Sequence, residues 1–169
     1  MEYRKNDIVT LEIVDCGTDG EGIGKADGFT VFVKDAVIGD TVTAKIMKAK
    51  KNYGYGRLME ILKPSPYRVE PVCLSARQCG GCQLQTVSYE EQKVFKEKKL
   101  RGHLERIGGF CDLPMEPLIG MDEPYHYRNK AQFPVGRNKE GRIITGFYAG
   151  RTHAITENRD CALGIPQNK

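Results

Sequence analysis

The sequence predicts a mainly β protein with an α+β part, in which a small closed β-barrel precedes a module with one helix and an antiparallel sheet. Three observations support this fold class. Short alternating apolar runs separated by glycines fill residues 1–63, as is typical of a small barrel. Pro64-Ser65-Pro66 then breaks regular structure, and a helical stretch and a hairpin follow. We therefore predict a barrel domain in residues 1–63 and a second, incomplete module in residues 64–169.

Four barrel strands are predicted from alternating apolar residues. They cover residues 7–16, 29–33, 41–47 and 56–62. The glycines between them are expected in turns, including the run Gly22-Ile23-Gly24-x3-Gly28. That run lacks the spacing of a dinucleotide-binding loop, and it precedes a strand-like segment rather than a helix.

The second module is predicted to open with a helix. Ser88 suits the N-cap position, and Glu91 completes a capping box three residues later. The helix is expected to end at Gly108-Gly109. Strands are then expected over residues 128–136, 143–148 and 153–156, with a turn at residues 138–141.

The charge of this chain is unevenly distributed. Residues 1–40 hold four Lys/Arg and nine Asp/Glu, whereas residues 41–63 and residues 126–153 each hold six Lys/Arg and one Asp/Glu. The two basic stretches indicate an anionic partner, and the acidic block is expected to face away from it. No run approaches the roughly 20 apolar residues of a membrane span, and the N-terminus has no apolar signal core. We therefore expect a cytoplasmic monomer that does not associate with membranes.

Four cysteines are the strongest indication of chemistry. Cys73, Cys79 and Cys82 lie within ten residues, and Cys161 comes from a distant segment. This spacing differs from the paired motifs of most zinc sites and suits a cubane iron–sulfur cluster, in which each iron takes one thiolate. Zinc binding and unmetallated cysteines stay open as alternatives.

A basic and aromatic stretch without acidic residues lies between Asp40 and Glu60. Cations neutralise phosphates and tyrosine rings stack on bases, while Gly54 and Gly56 are expected to permit close backbone approach. The alternative is a solvated hairpin whose lysines protect a sheet edge. The candidate RNA-binding residues of this stretch are Lys45, Lys48, Lys50, Lys51, Tyr53, Tyr55 and Arg57.

A second candidate RNA-binding segment lies in the predicted strand at residues 128–136. Arg128, Lys130 and Gln132 alternate along it and would share one face. Such a face is suited to phosphates and bases. A plain amphipathic strand is the alternative.

Together these features resemble the 23S ribosomal RNA (uracil-5-)-methyltransferase family. Gly22-Ile23-Gly24, Val31-Phe32-Val33 and Gly39-Asp40 are similar to a TRAM domain, which is an OB-like RNA-binding barrel. Further matches follow in the family's order at Pro64-Ser65-Pro66, Cys73, Cys79-Gly80-Gly81-Cys82, Tyr89-x2-Gln92-x3-Lys96, Arg128-Asn129-Lys130 and Asp160-Cys161.

The resemblance implies that this chain binds and positions RNA for an S-adenosylmethionine-dependent uracil-C5 methyltransferase acting on 23S ribosomal RNA. It also implies that the four cysteines hold a structural [4Fe–4S] cluster, with Cys161 as the fourth ligand rather than a nucleophile. The catalytic residues and the S-adenosylmethionine site would belong to a C-terminal domain of the full-length parent. We therefore assign no catalytic or cofactor-binding residue and expect this chain to be inactive alone. A free-standing TRAM-type RNA-binding protein with a structural metal is the alternative.

Overall fold

The computed structural model describes residues 3–168, which divide into two compact units. The first unit consists of residues 3–70 with residues 83–87, and the second of residues 71–82 with residues 88–168. In the described part of the chain, no helix is both long enough and apolar enough to cross a membrane.

The first unit is a closed barrel of five strands. They are β1 (Ile8–Cys16), β2 (Gly22–Ala26), β3 (Phe29–Lys34), β4 (Thr41–Ala49) and β5 (Tyr53–Lys63). Pairing is antiparallel except between β3 and β5, whose parallel pairing closes the barrel in the order β1-β2-β3-β5-β4. The predicted barrel is therefore confirmed.

Aliphatic side chains from alternate strand positions fill the barrel. Burial alternates along β3 and along β4, which sends every second side chain inward. Burying one such side chain fully contributes about 1.5–3 kcal/mol. The most deeply buried apolar residues are Leu11, Ile13, Val31, Val33, Val42, Ala44 and Ile46.

The strand β2 lies where the sequence predicts a turn, so that prediction is wrong. Gly22 and Gly24 are buried within the barrel wall. A Cβ on Gly22 would lie 2.8 Å from Cγ2 of Ile13, and one on Gly24 would lie 2.7 Å from the carbonyl oxygen of Glu12. Only hydrogen fits at these positions, so glycine occupies them despite its low strand propensity.

The chain beyond β5 stays attached to the barrel through the buried carboxylate of Asp40. This carboxylate accepts hydrogen bonds from the backbone N–H of Val37 at 2.7 Å and of Ser65 at 2.8 Å. The guanidinium of Arg68 donates to it from Nε at 3.1 Å and also from Nη2. Burial alone would raise the pKa of Asp40, but these bonds and the charge of Arg68 lower it below its ordinary value.

A later segment returns to the same unit. Residues 83–87 lie against the chain that follows β5, where Arg68 and Val87 form an isolated antiparallel bridge. The N–H of Val69 donates to the carbonyl oxygen of Thr86 at 3.0 Å. The first unit is therefore discontinuous in sequence, with residues 71–82 leaving it between two of its segments.

The second unit contains one helix and a three-stranded antiparallel sheet. They are α1 (Tyr89–Arg106), β6 (Val135–Arg137), β7 (Ile143–Tyr148) and β8 (Ile155–Glu157), and the sheet order is β6-β7-β8. The predicted cap is confirmed, because Oγ of Ser88 accepts a hydrogen bond from the N–H of Glu91 at 3.4 Å.

The predicted strand at residues 128–136 is largely wrong, because only its last two residues join β6. Instead, the N–H of Arg128 donates to the carbonyl oxygen of Leu163 at 2.7 Å, and its own carbonyl oxygen accepts from the N–H of Ile165 at 3.2 Å. Pro134, just before β6, has no N–H to donate to a ladder. The chain is therefore not paired as a regular strand before β6.

Candidate nucleic-acid interface

The outer surface of β3, β5 and β4 carries two aligned rows of side chains. In one row, Phe32 on β3 lies opposite Tyr55 on β5, which lies opposite Lys48 on β4. Neighbouring strands lie about 4.8 Å apart, so paired residues on the same side are close. In the second row, Lys34, Arg57 and Lys45 occupy the same three strands. We call the seven residues Phe32, Lys34, Lys45, Lys48, Tyr53, Tyr55 and Arg57 the barrel face.

Three aromatic rings on the barrel face contact one another. The ring centroids of Phe32 and Tyr55 are 5.6 Å apart, and Tyr53 lies 5.9 Å from each of them in edge-on geometry. Tyr53 is 39% exposed, so the cluster reaches the surface. Phe32 is a further candidate that the sequence does not assign, because it lies outside the basic and aromatic stretch between Asp40 and Glu60.

Three cations of the barrel face are available to an external anion. Lys45, Lys48 and Arg57 form no ion pair within the described residues, and none has a resolved hydrogen bond. Lys50 and Lys51 are exposed in the turn between β4 and β5, beside the Tyr53 end of the face. The seven candidates from the basic and aromatic stretch thus lie on one part of the barrel.

The glycines of this stretch serve the barrel interior. A Cβ on Gly54 would lie 3.0 Å from Cε1 of Phe29, and one on Gly56 would lie 3.0 Å from Cγ1 of Val31. The expectation that these glycines permit close backbone approach stays a prediction. They make room for core side chains beneath the aromatic cluster.

The acidic block does not occupy a separate side of the barrel. β3 lies within residues 1–40, yet it supplies Phe32 and Lys34 to the barrel face. The expectation that this block faces away from the anionic partner stays a prediction. Pairing between distant strands, rather than position in the sequence, determines which side chains share the surface.

The RNA-binding candidates in the second unit, Arg128, Lys130 and Gln132, do not lie together on one regular strand. Arg128 is half-buried and lines a small cavity with Cys161 and Arg159. Lys130 and Gln132 are exposed in the irregular segment before β6. Their assignment to RNA stays a prediction.

All four cysteines of the predicted metal site lie in the second unit as free thiols. Cys73 and Cys79 are buried, whereas Cys82 and Cys161 are half-buried. Within residues 3–168, no three His, Cys, Asp or Glu side chains are placed so that they could hold a metal ion together. The iron–sulfur site therefore stays a prediction.

The surroundings of two of these sulfurs suit thiolates. Nδ2 of Asn158 donates to Sγ of Cys73 at 3.8 Å, and the N–H of Gly81 donates to Sγ of Cys79 at 3.4 Å. Such N–H donors stabilise negative charge on sulfur ligands. The four thiols are thus suitable ligands for a soft metal, although they do not surround one point among the described residues.

Protein contacts alone already position the cysteine-bearing loop. The N–H of Gly80 donates to the carbonyl oxygen of Tyr148 on β7 at 2.9 Å, and Oγ1 of Thr156 on β8 donates to the carbonyl oxygen of Gln78 at 3.4 Å. A Cβ on Gly80 would lie 2.8 Å from that same oxygen of Tyr148. Gly80 is therefore needed for close packing against β7.

The barrel is of a defined class. Residues 4–59 match the family model of the TRAM domain, which spans β1 to β4 and most of β5. The fold also resembles that of a Pyrococcus abyssi tRNA (uracil-54, C5)-methyltransferase solved with S-adenosyl-L-homocysteine. The TM-score is 0.57 at 23% identity, over 94% of this chain and 33% of that one. At this identity the likeness concerns the fold alone.

Similarity over nearly the whole chain extends to RNA methyltransferases. The chain is 45% identical over 165 residues to an uncharacterized RNA methyltransferase of Halalkalibacterium halodurans, covering 98% of this chain and 36% of that protein. It is 48% identical over 163 residues to one of Clostridium tetani, covering 96% of this chain and 35% of that protein. The chain thus spans about a third of the length of these relatives.

Proposed function

We propose that this chain binds RNA and positions it for a uracil-C5 methyltransferase that uses S-adenosylmethionine and acts on 23S ribosomal RNA. The observation that carries RNA binding is the barrel face, in which three rings in contact lie among cations, and Lys45, Lys48 and Arg57 form no ion pair within the described residues. Cations supply sequence-independent attraction to phosphates, and exposed rings stack on unpaired bases. Few other ligands require both groups on one surface.

Similarity to proteins named as RNA methyltransferases supports methyl transfer as the purpose of this binding. Those proteins extend well beyond the aligned segment, which favours a role within a larger enzyme over a free-standing binding module. The uracil-C5 chemistry and the ribosomal target rest on the motif resemblance, above all Cys79-Gly80-Gly81-Cys82 and Arg128-Asn129-Lys130.

A [4Fe–4S] cluster held by the four cysteines is part of this proposal. The support is the shared location of four thiols in one unit, with N–H donors at two of the sulfurs. Among the described residues, no three of these thiols lie close enough together to hold a metal ion. Binding of the cluster would therefore require the four cysteine side chains to move towards one another. When bound, the cluster would cross-link the loop at residues 73–82 to Cys161.

The barrel face is tested by titrating the protein into a labelled single-stranded RNA of about 30 nucleotides, longer than the site of one OB-type barrel. The matched pair of variants is Arg57→Ala and Lys63→Ala. Both positions lie on β5, about 20 Å apart along the strand, and both changes remove one positive charge. The titrations are repeated at several salt concentrations.

Arg57→Ala should weaken binding and flatten the plot of log K against log salt by about 0.7 per lost phosphate contact. Lys63→Ala should change neither quantity. Affinity that is independent of salt, or equal losses in both variants, would contradict RNA binding through the barrel face.

A further inference from the structure

The helix α1 separates its charged residues onto different sides. At about 100° per residue, Lys96, Lys99, His103 and Arg106 fall within an arc of about 80°. The four acidic residues of the helix each lie about 100° or more from the centre of that arc; they are Glu90, Glu91, Glu97 and Glu105. We call Lys96, Lys99, His103 and Arg106 the basic stripe.

Two of the three helix cations outside the basic stripe, Lys93 and Arg101, have acidic partners. Nζ of Lys93 lies 2.7 Å from a carboxylate oxygen of Glu90, and Nη1 of Arg101 lies 4.0 Å from one of Glu105. No such partner exists for the stripe among residues 3–168. Nζ of Lys99 lies 5.2 Å from the ring centroid of Phe95, and Arg106 donates only to a carbonyl oxygen of its own helix.

The basic stripe is not used to pack α1 against its own unit. No residue of the helix is buried. Its hydrogen bonds with the following segment use residues outside the stripe: the hydroxyl of Tyr89 accepts from the N–H of Met121 at 2.8 Å, and the carboxylate of Glu97 accepts from the N–H of Leu118. Lys96, His103 and Arg106 are exposed. The positive charges of Lys96 and Arg106 thus form no ion pair within residues 3–168.

We infer that the basic stripe contacts the phosphate backbone of the RNA, as a site separate from the barrel face. This inference rests on the proposed function. A row of flexible cations about 15 Å long suits a polyanion, because phosphate contacts need charge rather than close shape complementarity. An acidic protein surface would offer carboxylates instead, and that alternative is an outcome of the test below.

The test compares two double variants of equal charge on one helix. Lys96→Gln with Lys99→Gln removes two stripe cations, and Lys98→Gln with Arg101→Gln removes two cations from the acidic side. Glutamine has a helix propensity close to those of lysine and arginine, so both variants should stay helical, which circular dichroism checks. Each protein is titrated into the labelled single-stranded RNA and, separately, into a labelled polyglutamate peptide.

If the inference is correct, the stripe variant binds RNA about 25-fold more weakly at 0.1 M salt, since two lost contacts are worth about fivefold each relative to 1 M salt. Its salt slope falls by about 1.4, while the control variant stays near wild type. Equal losses in both variants would show a non-specific charge effect and overturn the inference. A loss of polyglutamate binding alone would assign the stripe to an acidic protein. If the stripe variant binds RNA as tightly as wild type while Arg57→Ala binds more weakly, the basic stripe does not contact RNA, and the proposed function is unaffected.

Discussion

Rings and cations on the barrel face should respond differently to removal. We predict that Tyr55→Ala and Phe32→Ala each weaken RNA binding by about 1–3 kcal/mol per unstacked base and leave the salt slope unchanged. Phe32→Tyr should retain binding because it keeps the ring. Tyr67→Ala removes an exposed ring elsewhere in the same unit and serves as the control. The same RNA titrations measure all four variants, and a reduced salt slope in Tyr55→Ala would argue against stacking.

The buried carboxylate of Asp40 should give the barrel a pH-dependent stability. Its pKa is lowered in the folded state, so its contribution is complete above the ordinary value of about 3.9 and is lost as pH falls through the folded pKa. Asp40→Asn should lower the free energy of unfolding by about 3 kcal/mol at neutral pH, because Arg68 loses its charged partner. It should also flatten the acid-side decline.

Urea unfolding at a series of pH values from neutral to acid measures this effect. Glu12→Gln, an exposed carboxylate on β1, is the control and should follow wild type. An Asp40→Asn protein that declines with pH as steeply as wild type would show that another group controls acid stability.

At the scale of elements, a substitution in β2 tests whether glycine is required where its backbone packs against β1. Gly24→Ala places a Cβ against the backbone of β1 and should destabilise the barrel by about 1–3 kcal/mol, because backbone must shift to admit it. Gly150→Ala is the matched control, since its Cβ would meet nothing within 4 Å. Chemical denaturation decides the matter, and equal stability of the two variants would mean that β2 tolerates side chains facing the core.

Elements were predictable from the sequence where local signals and tertiary contacts agree. The Ser88 and Glu91 cap identifies α1, and the turn at residues 138–141 identifies β7 as a hairpin strand. β2 was not predictable because glycines occupy its core positions and remove the alternation. The segment at residues 128–134 shows the opposite error, since its alternation is real but Arg128 pairs with a distant segment.

For the whole molecule, we predict that the isolated chain transfers no methyl group to RNA. The reason is that the family resemblance assigns the catalytic residues and the S-adenosylmethionine site to a C-terminal domain of the full-length parent. Labelled S-adenosylmethionine and 23S ribosomal RNA provide the assay, with a full-length relative as the positive control. Label incorporated into uridine by this chain would contradict the division of roles proposed here.

Metal content tests the four thiols together. Protein purified anaerobically should be brown and contain iron and acid-labile sulfide, and Cys161→Ser should lower both because it removes one of four thiolate ligands. Cys111→Ser, which changes an exposed cysteine outside the set, should leave them unchanged. Stoichiometric zinc without sulfide would contradict the cluster.

The candidate site could be predicted only in part. Lys48, Tyr55 and Arg57 belong to one stretch of the sequence whose basic and aromatic composition already suggests RNA binding. The structure places their side chains on one surface. Phe32 and Lys34 join them only through the parallel pairing of β3 with β5, which no local pattern encodes. The basic stripe is hidden for a different reason, because acids and bases interleave along α1 and separate only when wound into a helix.

The link between Asp40 and Arg68 also governs the order in which the first unit can be completed during translation. Every barrel strand has left the ribosome before Arg68 and residues 83–87 emerge, since the chain is made from its N-terminus. Until then the carboxylate of Asp40 lacks its guanidinium partner, and burying it unpaired is costly. A nascent chain that ends at residue 63 holds all five strands but lacks the Arg68 side chain that pairs with Asp40. The barrel therefore reaches its final stability only after the cysteine-bearing loop at residues 73–82 and the segment at residues 83–87 have been synthesised.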